Sequence, residues 1–155
     1  MAKARAQQTF VDPDRGPLVS TRFVVAIVLI VVGIAWMVYY YAAVRVDPNT
    51  VPPPAAGSPA FMADLEKWNY AIGFGLIMVG LIVAAHPSTP LGRGRGVVIT
   101  MLSCFIIGLL WICTYYVFTG QHLDKIPVFN DLGQYNLLVG IGFMAVGFSY
   151  ATRWE

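Results

Sequence analysis

Four long stretches of this chain carry no charged side chain, and nothing else in the sequence constrains the fold as tightly. Phe23 to Val44 and Val97 to Phe118 run for 22 residues each without Asp, Glu, Lys, Arg or His. As helices, at 1.5 Å per residue, they reach about 33 Å, enough to cross a hydrocarbon layer of roughly 30 Å. Trp68 to Ala85 and Tyr135 to Thr152 are equally free of charge over 18 residues each, at the short end of the spanning range. Composition agrees: 57% of the residues are hydrophobic and 12% charged. A soluble domain has about 45–50% and about 25%. The expected fold is an all-α integral membrane protein with four transmembrane helices. The first run is too long for the apolar core of a cleaved leader, so it is read as a helix of the mature protein.

The basic residues set an orientation. Lys3, Arg5, Arg15, Arg22, Arg93, Arg95 and Arg153 fall at one end of the helices, and Arg45, Lys67 and Lys125 at the other. An excess of Lys and Arg marks the cytoplasmic side. Both termini and the linker are therefore expected in the cytoplasm, in the plasma membrane, with the two longer loops outside. The resulting units are a tail (1–21) expected to be disordered, a first two-helix hairpin (22–86), a linker (87–96) and a second hairpin (97–155). The linker segment "GRGRG" lacks the Lys and the strand–loop–helix setting of a phosphate loop and reads as a flexible turn. The first outer loop, rich in Pro and Ala, reads as extended. After it, Phe61, Met62, Leu65 and Trp68 have the spacing of a short amphipathic turn on the membrane surface. Trp68 and its counterpart Tyr135 are placed to anchor at the interface.

The chain also repeats itself. "DLEKWNYAIGFGLIMVG" (64–80) and "DLGQYNLLVGIGFMAVG" (131–147) share seven of 17 positions, and "GIAWMVYYY" (33–41) aligns with "GLLWICTYY" (108–116). Two helices per unit return the chain to the side it left, so the expectation is two parallel tandem hairpins. Inverted repeats, the common transporter device, do not fit. Gly73 and Gly80 share a helix face, as do Gly140 and Gly147. Gly75 and Gly142 extend the small-residue character, with Ala71/Gly75 and Ala145/Ser149 as small pairs four apart. Such faces let helices approach closely in lipid. They serve packing inside the bundle, docking of partner helices, or both.

Little else in the sequence suggests chemistry. No titratable acid, base or His lies inside a spanning run, which weighs against an ion or proton path. Cys104 and Cys113, nine residues apart on one helix, point to nearly opposite sides and cannot pair. His86 and His122 lie at opposite ends of the helices. No catalytic, metal or cofactor site is expected, and a net charge of +2 with no basic block gives no reason to expect nucleic acid. Asp64 and Asp131 hold equivalent places at the outer end, as turn caps or partner contacts. Asn69 and Asn136, just inside the interface, either hydrogen-bond across helices, for about 1 kcal/mol, or stay wet.

The second half, through Gly108, Trp111, Tyr135, Asn136, Gly140, Gly142, Arg153 and Trp154, closely resembles the CrgA-type cell-division membrane proteins of actinobacteria. The first half resembles the same pattern through Gly33, Trp36, Trp68, Asn69, Gly73 and Gly75. The family's usual unit is one hairpin; here there are two. The first copy has "AAHPSTP" in place of the Arg-Trp ending, and the basic N-terminal block is thinned to Lys3 and Arg5. The resemblance implies a septation regulator without enzymatic activity, enriched at midcell. Its implied partners are divisome membrane proteins (FtsQ, septal penicillin-binding proteins), with FtsZ and self-association as further contacts besides the lipid bilayer. Asn69, Asn136, Arg153 and Trp154 would then join Trp68 and Tyr135 at the membrane interface. The competing expectation is an accessory subunit of a larger membrane complex, such as a respiratory enzyme.

Overall fold

The computed structural model describes residues 16–46, 51–52, 55, 57–120 and 123–152. The terminal tail through Arg15, most of the Pro-rich loop, His122 and the Arg153–Trp154 ending lie outside them. The described residues form helices and turns, with no strand among them.

The first apolar run becomes α1, Thr21–Tyr39. Ser20 caps it, its hydroxyl accepting from the Phe23 amide at 3.1 Å. The helix loosens into a π turn, Tyr40–Val44, before Arg45. A short helix, α2 (Ala60–Leu65), leads into α3 (Trp68–Ala84). The third run forms α4, Gly94–Phe118, which begins three residues before the apolar stretch and draws Arg95 into its first turn. Another short helix, α5 (Phe129–Leu132), and a 3-10 turn (Gly133–Tyr135) lead into α6, Asn136–Ala151.

Three segments are long and apolar enough to cross a membrane: Thr21–Val44, Gly94–Phe118 and Phe129–Ala151. The protein is thus a helical membrane protein. The expected fourth span, α3, has 17 residues, about 25 Å of helix. α6 itself has only 16 residues; the span Phe129–Ala151 is longer because the 3-10 turn Gly133–Tyr135 joins α5 to it, while α2 and α3 are separated at the same place. Glu66 and its counterpart Gly133 both sit at positive φ, 42° and 50°. Glycine takes that conformation freely, and the chain runs on through a 3-10 turn. At Glu66 the helix stops outright and restarts at Trp68.

The helices pack in pairs, α1 with α3 and α4 with α6. Gly33 lies on Gly73 and Ala26 on Gly80, so α1 and α3 are antiparallel; Gly108 on Gly140 and Met101 on Gly147 give α4 and α6 the same relation. The pairs meet through α3 and α6 in two apolar clusters. At the loop end these include Tyr40, Met62, Phe74, Val139 and Phe143. At the linker end they include Ala85, Val97, Cys104, Val146 and Tyr150.

The linker is tightly organised, where the sequence suggests a flexible turn. Thr89, fully buried, donates its hydroxyl to the carbonyl of Ala84 and accepts from the Gly92 amide at 3.0 Å. A side chain at Gly92 would drive into the backbone of Ala85, 2.6 Å away. Arg93 donates to the Pro17 carbonyl at 3.0 Å, fastening the linker to the start of α1.

Candidate functional site

Three hydrogen-bonded devices stand at the loop end of the helices. Two of them are copies of one another. Asn69, the second residue of α3, is completely buried. Its Oδ1 accepts from the Trp36 indole at 3.2 Å, while its Nδ2 donates to the carbonyls of Met62 at 2.7 Å and Glu66 at 2.9 Å. Asn136 does the same in the second pair. It accepts from Trp111 at 3.2 Å and donates to Phe129 at 2.9 Å and Gly133 at 2.8 Å. The acceptors are the residues seven and three positions upstream in both cases. A helix broken at position 66 or 133 leaves carbonyls without intrahelical donors. A buried asparagine amide supplies two N–H groups, which is what the break requires. Its oxygen then ties the break to the tryptophan of the neighbouring helix. Of the two alternatives open for these asparagines, the structure realises the hydrogen bond across helices.

Below each clasp the backbones touch. A Cβ on Gly33 would lie 2.6 Å from the Gly73 carbonyl oxygen, and one on Gly108 would lie 2.6 Å from that of Gly140. A Cβ on Gly80 would lie 2.9 Å from the Ala26 oxygen, and one on Gly147 would be 3.3 Å from the Met101 oxygen. Gly73, Gly80, Gly140 and Gly147 therefore face the inside of their own pairs. Gly142 lies between pairs, where a Cβ would meet Met78 Sδ at 2.8 Å. Gly75 alone of the six faces open space, with nothing within 4 Å.

The third device joins the two pairs. Arg45, just past the end of the first span, makes a two-pronged ion pair with Asp131: Nε to Oδ2 at 2.5 Å and Nη2 to Oδ1 at 2.8 Å. Tyr70 donates its hydroxyl to the same carboxylate at 2.6 Å. The side chains of Arg45 and Asp131 are only 9% and 14% exposed. The guanidinium also lies 4.9 Å from the Tyr41 ring centroid, in cation–π range. Hydrogen bonding to Asp131 pushes the Arg45 pKa above its ordinary value, against the opposing effect of burial. Its charge is therefore fixed. Asp131 thus serves a contact within the chain, whereas its sequence counterpart Asp64 stays exposed. At the linker end Tyr150 joins the pairs as well, donating to the Leu81 carbonyl at 2.6 Å.

The two expected interfacial aromatics are outward, Trp68 at 72% and Tyr135 at 57% exposure. The turn before Trp68 is not one apolar face lying on the surface. Met62 is buried in the bundle, while Phe61 is exposed and rests beside Trp36, ring centroids 6.2 Å apart. Sequence reasoning placed Trp36, Trp111 and Arg45 without finding their partners. The signal was present for the tryptophans, since each half puts Trp and Asn in the same positions. Cys104 is buried and Cys113 exposed, both free. The described residues hold no cluster of three or more His, Cys, Asp or Glu side chains able to ligate a metal.

A family model, "Cell division protein CrgA", matches residues 2–86 and again 89–155. The chain belongs to the CrgA family. Among curated CrgA proteins, that of Streptomyces avermitilis is 40% identical over 65 residues, covering 42% of this chain and 71% of the relative. The Corynebacterium glutamicum protein is 40% identical over 60 residues, 39% of this chain and 53% of the relative. One from a Mycobacterium species is 37% identical over 55 residues, again 53% of the relative. The aligned part thus spans about half the length of several of these relatives. All carry the name cell division protein, which supports a cell-division role for this chain. No solved structure gives a significant match.

Proposed function

We propose that this CrgA protein is a division-site scaffold and septation regulator, built as a tandem duplication of a two-helix unit. The family match to residues 2–86 and again to 89–155 carries this reading. The repeated Trp–Asn clasp supports it: each half ties its two helices by the same tryptophan–asparagine bond, backed by the same two bonds from the asparagine to its own upstream turn. Along α3 from Tyr70 through Met78 to Leu81, the partners in the second pair are Asp131, Gly142 and Tyr150, as expected of two hairpins standing parallel. In this reading α3 is the fourth span, its 17 residues starting at Trp68 and extended at the interface by the α2 turn. Both termini and the Arg93–Arg95 linker lie in the cytoplasm, and the two loops lie outside.

Its work is to hold other division proteins. Partners with transmembrane helices, of the FtsQ and septal penicillin-binding class, meet the outward faces of the bundle. FtsZ is met by the cytoplasmic segments. Because Gly73, Gly80, Gly140 and Gly147 are used inside the pairs, partner helices must read other surfaces, such as Ile141, Ala145 and Phe148 on α6. A fluorescent fusion to the full chain tests the reading. It is expected to form a midcell band during septation and to copurify with septal membrane proteins after crosslinking. A uniform membrane signal with copurification of an oxidase would overturn it.

A further inference from the structure

A groove of about 780 Å³ opens between α3 and α6 at the loop end. Its walls are Trp68, Ala71, Gly75 and Met78 on one side, and Leu138 and Val139 on the other. The lining is apolar except at the mouth, where Asp64, Glu66 and Lys67 stand. Trp68 and Tyr135 flank the mouth, in the place where amphipathic rings mark the headgroup layer. From Trp68 to Met78 is ten residues, about 15 Å along the helix, or one leaflet of a hydrocarbon layer roughly 30 Å thick. Beyond Met78 the groove ends. There Tyr150 bonds to the Leu81 carbonyl, and Ala85, Val146 and Cys104 pack solidly.

We propose that this groove is a binding site for one phospholipid, an acyl chain lying against Gly75 and a zwitterionic phosphate–amine headgroup at Lys67, Asp64 and Glu66. The depth decides between lipid and helix. A partner helix has to cross the whole layer and is about 10 Å wide, so a groove closed at mid-depth cannot seat it. A single acyl chain enters from one leaflet and ends there. The mouth matches the headgroup: one ammonium for the phosphate and two carboxylates for the amine. The Arg45 guanidinium, committed to Asp131, is not needed for it. This inference rests on α3 and α6 both crossing the membrane. It is read on purified protein, so it can fail independently of the midcell role.

The full chain is reconstituted into vesicles of phosphatidylethanolamine and phosphatidylglycerol, extracted in mild detergent and weighed by native mass spectrometry. Wild type is expected to retain one phosphatidylethanolamine per chain. Gly75→Leu fills the open space beneath Trp68 and is expected to cut retention at least tenfold, as is Ala71→Leu at the next position up the wall. Lys67→Ala is expected to reduce it severalfold. Val79→Leu, exposed on α3 and outside the groove lining, is the control and retains the lipid. Equal retention by wild type and both groove-filling variants would overturn the site. Preferential retention of phosphatidylglycerol would overturn the headgroup assignment. Loss of crosslinking to a neighbouring helix in Gly75→Leu, with lipid retention unchanged, would give the groove to a protein partner instead.

Discussion

At the scale of single residues, the two asparagines do more than their number suggests. Each supplies the only side-chain bridge between a broken helix and its neighbour's tryptophan among the hydrogen bonds described. Replacing Asn136 by Ala leaves the Phe129 and Gly133 carbonyls and the Trp111 indole without those partners. Stranding buried polar groups costs about 1–3 kcal/mol. Asn136→Ala is therefore expected to lower stability by about 2–3 kcal/mol in detergent unfolding followed by Trp fluorescence, and Asn69→Ala by a similar amount; a change under about 0.5 kcal/mol in both would remove the clasp from the account. The backbone turn each clasp secures offers a complementary experiment. Glu66 holds φ at 42°, a region side chains disfavour, where the second half uses Gly133. Strain of this kind costs about 1–3 kcal/mol, and glycine's greater chain entropy returns part of the gain. Glu66→Gly is expected to raise stability by about 1 kcal/mol and Gly133→Ala to lower it by at least as much, both read as shifts in the unfolding midpoint.

At the scale of elements, the helices were legible because a membrane span declares itself by length and lack of charge. All four apolar runs became helices within a few residues of their expected limits. The breaks were harder to see. Nothing at Glu66 marks a positive φ; only alignment with Gly133 hints at it, since glycine at that turn is the natural choice. The glycine faces were visible as periodicity, but periodicity cannot say which neighbour a face meets. Four of the six faced inward, toward backbone carbonyls at contact distance, and one faced nothing at all. A stability comparison separates these roles. Gly108→Ala places a methyl group 2.6 Å from the Gly140 oxygen and forces α4 away from α6. Overpacking of this kind costs about 1–3 kcal/mol. Gly75→Ala enters open space and is expected to leave stability unchanged or raise it by up to about 1 kcal/mol, since alanine loses less chain entropy in a helix. Equal effects of the two in a thermal melt would mean that the close crossing of α4 and α6 is not what holds the second pair.

At the scale of the whole molecule, the two pairs are similar but their junction is not symmetric. Asp131 of the second half reaches Arg45 and Tyr70 of the first, while Gly120 and Leu137 stand at the places equivalent to those two residues in the second half. Asp64 thus has no counterpart of this ion pair to make. In the sequence Arg45 was only a basic residue on the sparsely charged side, and Asp131 only the echo of Asp64. Their meeting depends on how α3 lies against α6, which no periodicity within one helix encodes. The ion pair is largely buried, and such pairs behave characteristically. Removing one partner strands the other charge at a cost of about 3–5 kcal/mol, whereas replacing both with apolar residues of similar size is often neutral. Arg45→Met and Asp131→Leu, each alone in the full chain, are expected to destabilise by about 3 kcal/mol, and the double variant to recover most of that loss. The coupling measured in that cycle separates two roles for the junction. A double variant as unstable as the sum of the singles would mean the two side chains act independently. A double variant near wild type would mean that the pair serves chiefly to fix one register between two apolar surfaces, with Tyr150 and Leu81 holding the opposite end.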